Sequence, residues 1–321
     1  MKSVIIRGTG SYLPKKVLTN KDLEKMMDTT DDWIFQRTGI RQRHVAAADE
    51  QTSHLATYAC QAALDQAGLK AQDLDFIICA TTSADQTFPA AAVKVQYALG
   101  MTQGFAFDMQ AACSGFVYAL SVGTSLIKSG QAKRGIVVGA DTYSRILDWT
   151  DRSTAILFGD GAGAVVLEAS DTPDTGVLGC YLHSDGQFND ILYVNGGPSS
   201  SEHVGKIKME GAAVFKQAVT KLSESLEEVL EKEKVSAADV DWFVPHQANE
   251  RIINATAERL SFPADKIIKT VGQHANTSAA SIPLALDWGV RNHKIKPGQL
   301  VLVDAMGAGL SWGSALIRWY S

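Results

Sequence analysis

Three side chains in this sequence, a thiol, an imidazole and a carboxamide, stand in settings that suggest chemistry. Cys113 lies in Phe105-Ala-Phe-Asp-Met-Gln-Ala-Ala-Cys-Ser-Gly-Phe116, an apolar run that ends in small residues and passes into Val117-Tyr-Ala-Leu-Ser-Val-Gly-Thr-Ser-Leu-Ile127. The pattern predicts a buried strand feeding a helix, with Cys113 near the helix's first turn. There, unpaired N–H groups and the positive end of the helix dipole favour the thiolate, which is the nucleophile. Ala111, Ala112, Ser114 and Gly115 leave room for a carbonyl to reach the sulfur. His246, in Val244-Pro-His-Gln-Ala-Asn249, sits just beyond a predicted strand, and Asn276, in His274-Ala-Asn-Thr-Ser-Ala-Ala-Ser281, opens a predicted helix. Together they supply a nucleophile and two hydrogen-bond donors for a developing oxyanion. Taken singly, each has a plainer reading: a small core cysteine, a satisfied core histidine, a helix cap.

The elements that must position them alternate. Lys2 to Gly8 predicts a strand closed by Gly8-Thr-Gly-Ser-Tyr-Leu-Pro14, where the isolated Gly8-x-Gly10 reads as a bend. Helices are expected over Thr19–Met27, from Thr30 or Asp31 as cap, over Thr52–Gly68 and over Ala90–Leu99. Strands are expected over Asp75–Thr81, Arg134–Asp141 and Gly163–Glu168, with Gly159-Asp-Gly-Ala-Gly163 as a bend lacking the Lys of a phosphate loop. This alternation indicates an α/β protein.

The second half repeats the first. Leu64-Asp-Gln-Ala-Gly-Leu-Lys-Ala-Gln-Asp-Leu-Asp-Phe-Ile-Ile78 aligns without a gap on Leu230-Glu-Lys-Glu-Lys-Val-Ser-Ala-Ala-Asp-Val-Asp-Trp-Phe-Val244. The same offset sets Cys113 opposite Ala279, and after each small-residue turn come a helix and then a strand, Ile136-Val-Val in the first copy and Leu300-Val-Leu-Val303 in the second. We therefore expect two copies of one α/β unit, 1–170 carrying Cys113 and 171–321 carrying His246 and Asn276. Corresponding loops of a duplicated fold approach each other across the pseudo-twofold axis, which brings the three residues into one cavity.

Composition narrows the field. The 321 residues are 45% hydrophobic and 20% charged, ordinary for a soluble globular chain. No apolar run reaches the length of a membrane span, and Met1 to Gly8 is too short for a signal peptide, so the expected location is cytoplasmic. The net charge of -5 argues against nucleic acid as the main partner. Cys60, Cys79, Cys113 and Cys180 form no CxxC pair, and His44, His54, His183, His203 and His293 show no ligand spacing, so no metal site is expected.

The three motifs jointly resemble the condensing enzymes of the thiolase superfamily, most closely the 3-oxoacyl-[acyl-carrier-protein] synthase III family. Thr38-Gly-Ile-Arg41, Phe158-Gly-Asp-Gly-Ala-Gly163 and Lys296-Pro-Gly-Gln-Leu300 are also similar to it, and the resemblance runs from Ile6 to Trp312. It implies a five-layered α-β-α-β-α sandwich of two duplicated halves. It also implies an initiating acyltransferase of type II fatty-acid synthesis, with acyl-CoA as substrate and no cofactor. Cys113 takes an acyl group, typically acetyl, from the acyl-CoA; His246 and Asn276 then assist decarboxylation of malonyl carried on acyl carrier protein.

Further roles follow from the resemblance residue by residue. The backbone around Gly307, Ala308 and Gly309 forms an oxyanion loop, in which Ala308 and Met306 replace the usual glycine and phenylalanine. Trp33 and Arg152 stack about the adenine of CoA, beside Thr29 and Arg37, and Gly211, Phe215, Ala248 and Asn249 line the pantetheine tunnel. Phe88, Tyr143, Leu157 and Met209 belong to the acyl pocket, Phe88 reaching it from the partner subunit of a homodimer, and Tyr143 shortens it. Lys216, Arg251 and Arg259 form a basic rim for the acidic carrier protein, with Glu258 weakening it. The plainer alternatives are a surface Trp33, an Arg152 paired with Asp148 or Asp151, and an ordinary solvated helix face.

Two other functions compete: a relative acting in secondary metabolism or transferring acyl groups without extension, and a non-catalytic carrier-protein binding module. A degradative thiolase fits less well, because that chemistry uses a second cysteine and none follows Cys180.

Overall fold

The computed structural model describes residues 2–201 and 203–320. Its strands are β1 (Ser3–Tyr12), β2 (Lys16–Thr19), β3 (Gln42–Val45), β4 (Phe76–Ala80), β5 (Phe105–Met109), β6 (Arg134–Thr142), β7 (Asp160–Ser170), β8 (Gly176–Ser184), β9 (Leu192–Gly196), β10 (Val204–Met209), β11 (Trp242–Pro245), β12 (Leu300–Gly307) and β13 (Ser311–Arg318). The helices are α1 (Asn20–Leu23), α2 (Asp31–Thr38), α3 (Thr52–Ala67), α4 (Ala91–Ala98), α5 (Gly115–Lys128), α6 (Arg152–Ala155), α7 (Gly211–Glu233), α8 (Glu250–Arg259), α9 (Val271–His274) and α10 (Ser281–Arg291).

Nine strands run in the order β11-β12-β13-β8-β1-β7-β6-β4-β5. The halves meet where β1 and β8 pair in parallel at Val4 and Gly176. Helix α3 packs on β1, β6 and β7, and α7 on β8, β12 and β13. Helices α5 and α10 lie between the halves, each touching strands of both. The result is the five-layered α-β-α-β-α sandwich.

The strand sequences explain this layering. Their apolar runs do not alternate with polar residues, because both faces are buried. In β4, Ile78 faces the central layer with Phe116 and Leu120 of α5, whereas Ile77 and Cys79 face α3. In β12, Val301 and Val303 face the centre, and Leu300 and Leu302 face Leu226 and Val229 of α7.

The duplication extends to hydrogen bonds. The offset that carries Leu64 to Leu230 carries the 3-10 turn Ala71–Asp73 onto Ala237–Asp239, and Ala112–Ser114 onto Ser278–Ala280. Asp75 N donates to Arg134 O at 2.8 Å, and its counterpart Asp241 N donates to Leu300 O at 2.9 Å.

Three local expectations are corrected. The helix expected over Thr19–Met27 is a single turn, α1, continued by i→i+3 bonds from Lys25 N to Asp22 O and from Met26 N to Leu23 O. Gly8-x-Gly10 and the glycines at 161 and 163 lie inside β1 and β7 rather than in bends. The reason is close packing. A Cβ on Gly10 would stand 2.3 Å from Ala59 O of α3, and one on Gly163 would stand 2.5 Å from Leu284 N of α10. Glycine here lets a helix backbone approach a strand.

Candidate active site

Cys113 sits in the 3-10 turn that leads into α5, is 6% exposed, and is reached from two sides. On one side a cavity of ≈ 520 Å³ runs past Cys113, His246, Asn276 and Met306 to the surface at Trp33, Arg37, Arg152 and Arg251. On the other, a cavity of ≈ 680 Å³ is lined by Tyr143, Ala308 and Gly309 as well as Cys113.

The turn that carries Cys113 is clamped to the loop between β12 and β13. Gly307 packs so closely that a Cβ would lie 2.6 Å from Cys113 N. Ser114 Oγ donates to Ala111 O at 2.7 Å and lies 2.9 Å from Ser311 Oγ. Ser311 Oγ in turn donates to Ala111 O and Ala308 O, both at 3.2 Å. Ala308 keeps φ out of the left-handed region, so its methyl group is accommodated, whereas Gly309 has φ +133°. Met306 packs with Leu222 and Trp312 and lines the first cavity.

Burial reverses the expectation that the helix terminus favours the thiolate in the free protein. The Cys113 thiol is pushed up to about 12, chiefly by desolvation and further by the Asp141 charge, against the Ser278 hydroxyl and the Cys113 N–H. A helix terminus contributes at most about 2 kcal/mol, whereas full burial shifts a group by up to about 3–5 pKa units.

His246 is 7% exposed in the loop that follows β11. Gln247 anchors that loop: its Oε1 accepts from Thr270 N (2.7 Å) and Val271 N (3.0 Å), and its Nε2 donates to Pro245 O (2.7 Å) and Ile268 O (3.1 Å). His246 Nδ1 lies 2.5 Å from Ser281 Oγ. Burial lowers its pKa to about 3, so the ring is neutral at physiological pH. Behind it, Asp304 O accepts from His246 N at 2.8 Å. The Asp304 carboxyl is buried, and desolvation raises its pKa to about 7 against the lowering effect of the His246 N–H.

Asn276 is held at both ends of its peptide: its N donates to Leu157 O at 2.9 Å and its O accepts from Gly159 N at 3.0 Å. Its Oδ1 accepts from Ser278 N at 2.8 Å, which directs the amide nitrogen away from that bond and leaves it for the cavity.

Of the other residues expected from sequence, the first cavity gathers Trp33, Arg37, Arg152, Gly211, Phe215, Ala248, Asn249, Arg251, Leu157 and Met209. Arg37 and Arg152 both lie over the Trp33 indole, at 4.3 and 4.9 Å from the ring centroid. Arg152 pairs with Asp28 at 3.6 Å rather than with Asp148 or Asp151. Asn249 caps α8 and donates to Arg37 O at 3.1 Å. Tyr143 lines the second cavity, its hydroxyl tied to Thr82 (2.8 Å) and Ser278 (2.9 Å). Thr29 does not line either cavity, and its hydroxyl is buried without a partner among the described residues. Phe88 is 81% exposed and reaches neither cavity from its own chain. Lys216 is exposed on α7, next in the chain to the cavity-lining Phe215, and Arg259 lies at the far end of α8 from Arg251. Ser278, Ser281, Asp141 and Asp304 were not singled out from sequence. The first two stand within the run quoted around Asn276, where the repeat offset sets Ser278 opposite Ala112, and that offset was the signal available.

A buried cysteine at the meeting point of two cavities, with a neutral imidazole and an oriented amide beside it on a duplicated five-layer scaffold, defines a thiolase-fold acyl-transferring enzyme. Residues 107–186 match the family described as 3-oxoacyl-[acyl-carrier-protein] synthase III, and residues 230–319 its C-terminal region. The beta-ketoacyl-[acyl-carrier-protein] synthase III of Paramagnetospirillum magneticum is 57% identical over 99% of both chains, and that of Erythrobacter litoralis 56% over 98% of both. The crystal structure of the 3-oxoacyl-[acyl-carrier-protein] synthase III of Aquifex aeolicus superposes with a TM-score of 0.94 at 46% identity, covering 99% of this chain and 100% of that one. The chain belongs to the 3-oxoacyl-[acyl-carrier-protein] synthase III family.

Proposed function

We propose that this protein joins an acyl-CoA to malonyl-acyl carrier protein by decarboxylative Claisen condensation, as the initiating condensing enzyme of type II fatty-acid synthesis. The observation that carries the reading is the convergence of Cys113, His246 and Asn276 on one tunnel that opens beside Trp33 and Arg152.

In the first stage the Cys113 sulfur attacks the acyl thioester, and CoA leaves as its thiolate and takes up a proton. The Cys113 and Ala308 N–H groups stabilise the tetrahedral oxyanion. In the second stage the malonyl C–CO2 bond breaks, and its electron pair becomes the enolate. The enolate attacks the acyl-cysteine carbonyl and expels the sulfur. The products are 3-oxoacyl carrier protein, CoA and CO2, and the balance calls for no metal or organic cofactor.

With Ser281 donating to Nδ1, the single proton of the neutral His246 ring stands at Nε2, facing the tunnel. His246 Nε2–H and the Asn276 amide then donate to the malonyl thioester oxygen as charge develops on it, stabilising the transition state more than the ground state.

A nucleotide base fits between Trp33 and Arg152 if the guanidinium withdraws to about 7 Å, two contact distances, from the indole. Arg251 and Lys216 at the mouth suit an acidic carrier protein. Tyr143, held by two hydroxyl bonds, supports a short acyl pocket. A homodimer is supported by β5, an outer strand of the sheet, and by exposed Phe88, Tyr97 and Phe105 nearby. The halves divide between β7 and β8, near residue 170. A cytoplasmic setting suits these partners.

The test is intact mass after incubation with acetyl-CoA and with longer and branched acyl-CoAs. Acyl adducts that vanish in Cys113→Ala support the reading and rank the primers. No adduct with any acyl-CoA overturns it.

A further inference from the structure

Ser278 touches both halves of the proposed machinery. Its N–H holds Asn276 Oδ1 at 2.8 Å, and its hydroxyl donates to Tyr143 Oη at 2.9 Å. The same hydroxyl neighbours the Cys113 thiol and the Asp141 carboxyl and favours the charged form of each. Tyr143 Oη is 2.8 Å from Thr82 Oγ1, which is 3.4 Å from Asp141 Oδ1. A run of hydroxyls thus links the sulfur to a buried carboxylate.

The backbone marks this residue too. Ser278 has φ +53°, a region costly for serine, which persists only where the surroundings hold it. Its counterpart under the repeat, Ala112, immediately precedes Cys113 and has φ +45°. The two turns contact each other across the pseudo-twofold axis. One carries the sulfur, the other the Ser278 hydroxyl, which donates to Tyr143 Oη.

We propose that Ser278 is a catalytic residue for acyl transfer: its hydroxyl turns to donate to the Cys113 thiolate, and Tyr143 and Thr82 reverse their own donors behind it. In the thiol form, S–H donates to Ser278, Ser278 to Tyr143, Tyr143 to Thr82 and Thr82 to Asp141. In the thiolate form, Thr82 donates to Tyr143, Tyr143 to Ser278 and Ser278 to sulfur. No proton passes along the chain, and the one lost from sulfur goes to solvent.

The reversal leaves the other groups satisfied. Asp141 gives up its 3.4 Å contact and keeps Thr82 N (2.9 Å), Thr81 Oγ1 (3.0 Å) and Ser83 Oγ (2.7 Å). Asp141 opposes the thiolate, Tyr143 stays protonated because burial raises its pKa, and His246 is neutral. Ser278 is therefore the side chain on this face that favours charge on sulfur.

The inference rests on Cys113 being the nucleophile, and its test needs no acyl donor. Iodoacetamide alkylation of Cys113 is followed by intact mass across pH in the full-length protein, in Ser278→Gly and in Ser278→Ala. Glycine suits the positive φ and keeps the N–H that holds Asn276. We expect the alkylation midpoint to rise by about one pH unit or more in both variants, a roughly tenfold slower reaction at a fixed pH below it. An unchanged midpoint in Ser278→Gly, or a shift in Ser278→Ala alone, overturns the proposal. Neither result bears on whether acyl-CoA is the substrate.

Discussion

Ser281 Oγ stands 2.5 Å from His246 Nδ1, and the same oxygen accepts from Gln247 N at 3.3 Å. With its lone pair engaged by that N–H, the hydroxyl proton is available to Nδ1, which places the ring proton at Nε2. Ser281→Ala removes this selection. Carbon dioxide release should fall about tenfold or more, while acylation of Cys113 by acyl-CoA changes little. Stopped-assay measurement of the two half-reactions separates these outcomes, and equal loss in both would contradict the assignment.

Gly307 and Cys113 N leave no space for a methyl group between them. Gly307→Ala must displace either the turn that carries Cys113 or the loop between β12 and β13. A displacement of about 1 Å costs about 100-fold. The acylation rate constant should drop by that order with KM nearly unchanged, whereas a change confined to KM would point to a different role.

Asp304 gives a pH signature. Its folded pKa, about 7, lies above the usual 3.8, so the folded state holds a proton that the unfolded state has lost. Its contribution to stability is complete below pH 3.8 and is lost as pH rises through 7. Asp304→Asn should raise the unfolding temperature by a few degrees at pH 8 and by less at pH 5. Calorimetry at the two pH values checks the sign.

His246 and His274 slope the other way. Burial lowers them to about 3 and about 4, so the unfolded state takes up protons first as pH falls below 6.5. Stability should decline from pH 6.5 towards 4, and His274→Gln should flatten that decline in acid denaturation curves.

Arg152 lies over the indole of Trp33, 4.9 Å from the ring centroid. Arg152→Ala should raise KM for acyl-CoA about tenfold and leave the rate at saturation within about twofold, a pattern of lost uniform binding. Steady-state kinetics with acyl-CoA varied would show it.

The convergence of Cys113, His246 and Asn276 on one cavity and the repeat of one α/β unit were legible in the residues, and the layer order followed from the family resemblance. Apolar runs of strand length between capped helices, and the gapless match from Leu64 to Ile78 with Leu230 to Val244, are local patterns that survive in one dimension. The glycines at 8, 10, 161 and 163 misled because their cause is a helix on the other side of the strand, Ala59 or Leu284, far away in the chain. For the same reason no pattern singled out Ser278, Ser281 or Asp304: a hydroxyl acquires its role from what lies within 3 Å of it. The sign of the Cys113 environment was also decided in three dimensions, because the helix terminus is a local effect, whereas desolvation depends on everything that excludes water. The sequence by itself determined which groups are present and on which repeating unit each is carried. Only the folded arrangement decided how they are charged, which proton faces the tunnel and which bystanders became partners, because burial and hydrogen-bond distance are properties of residues brought together from both halves.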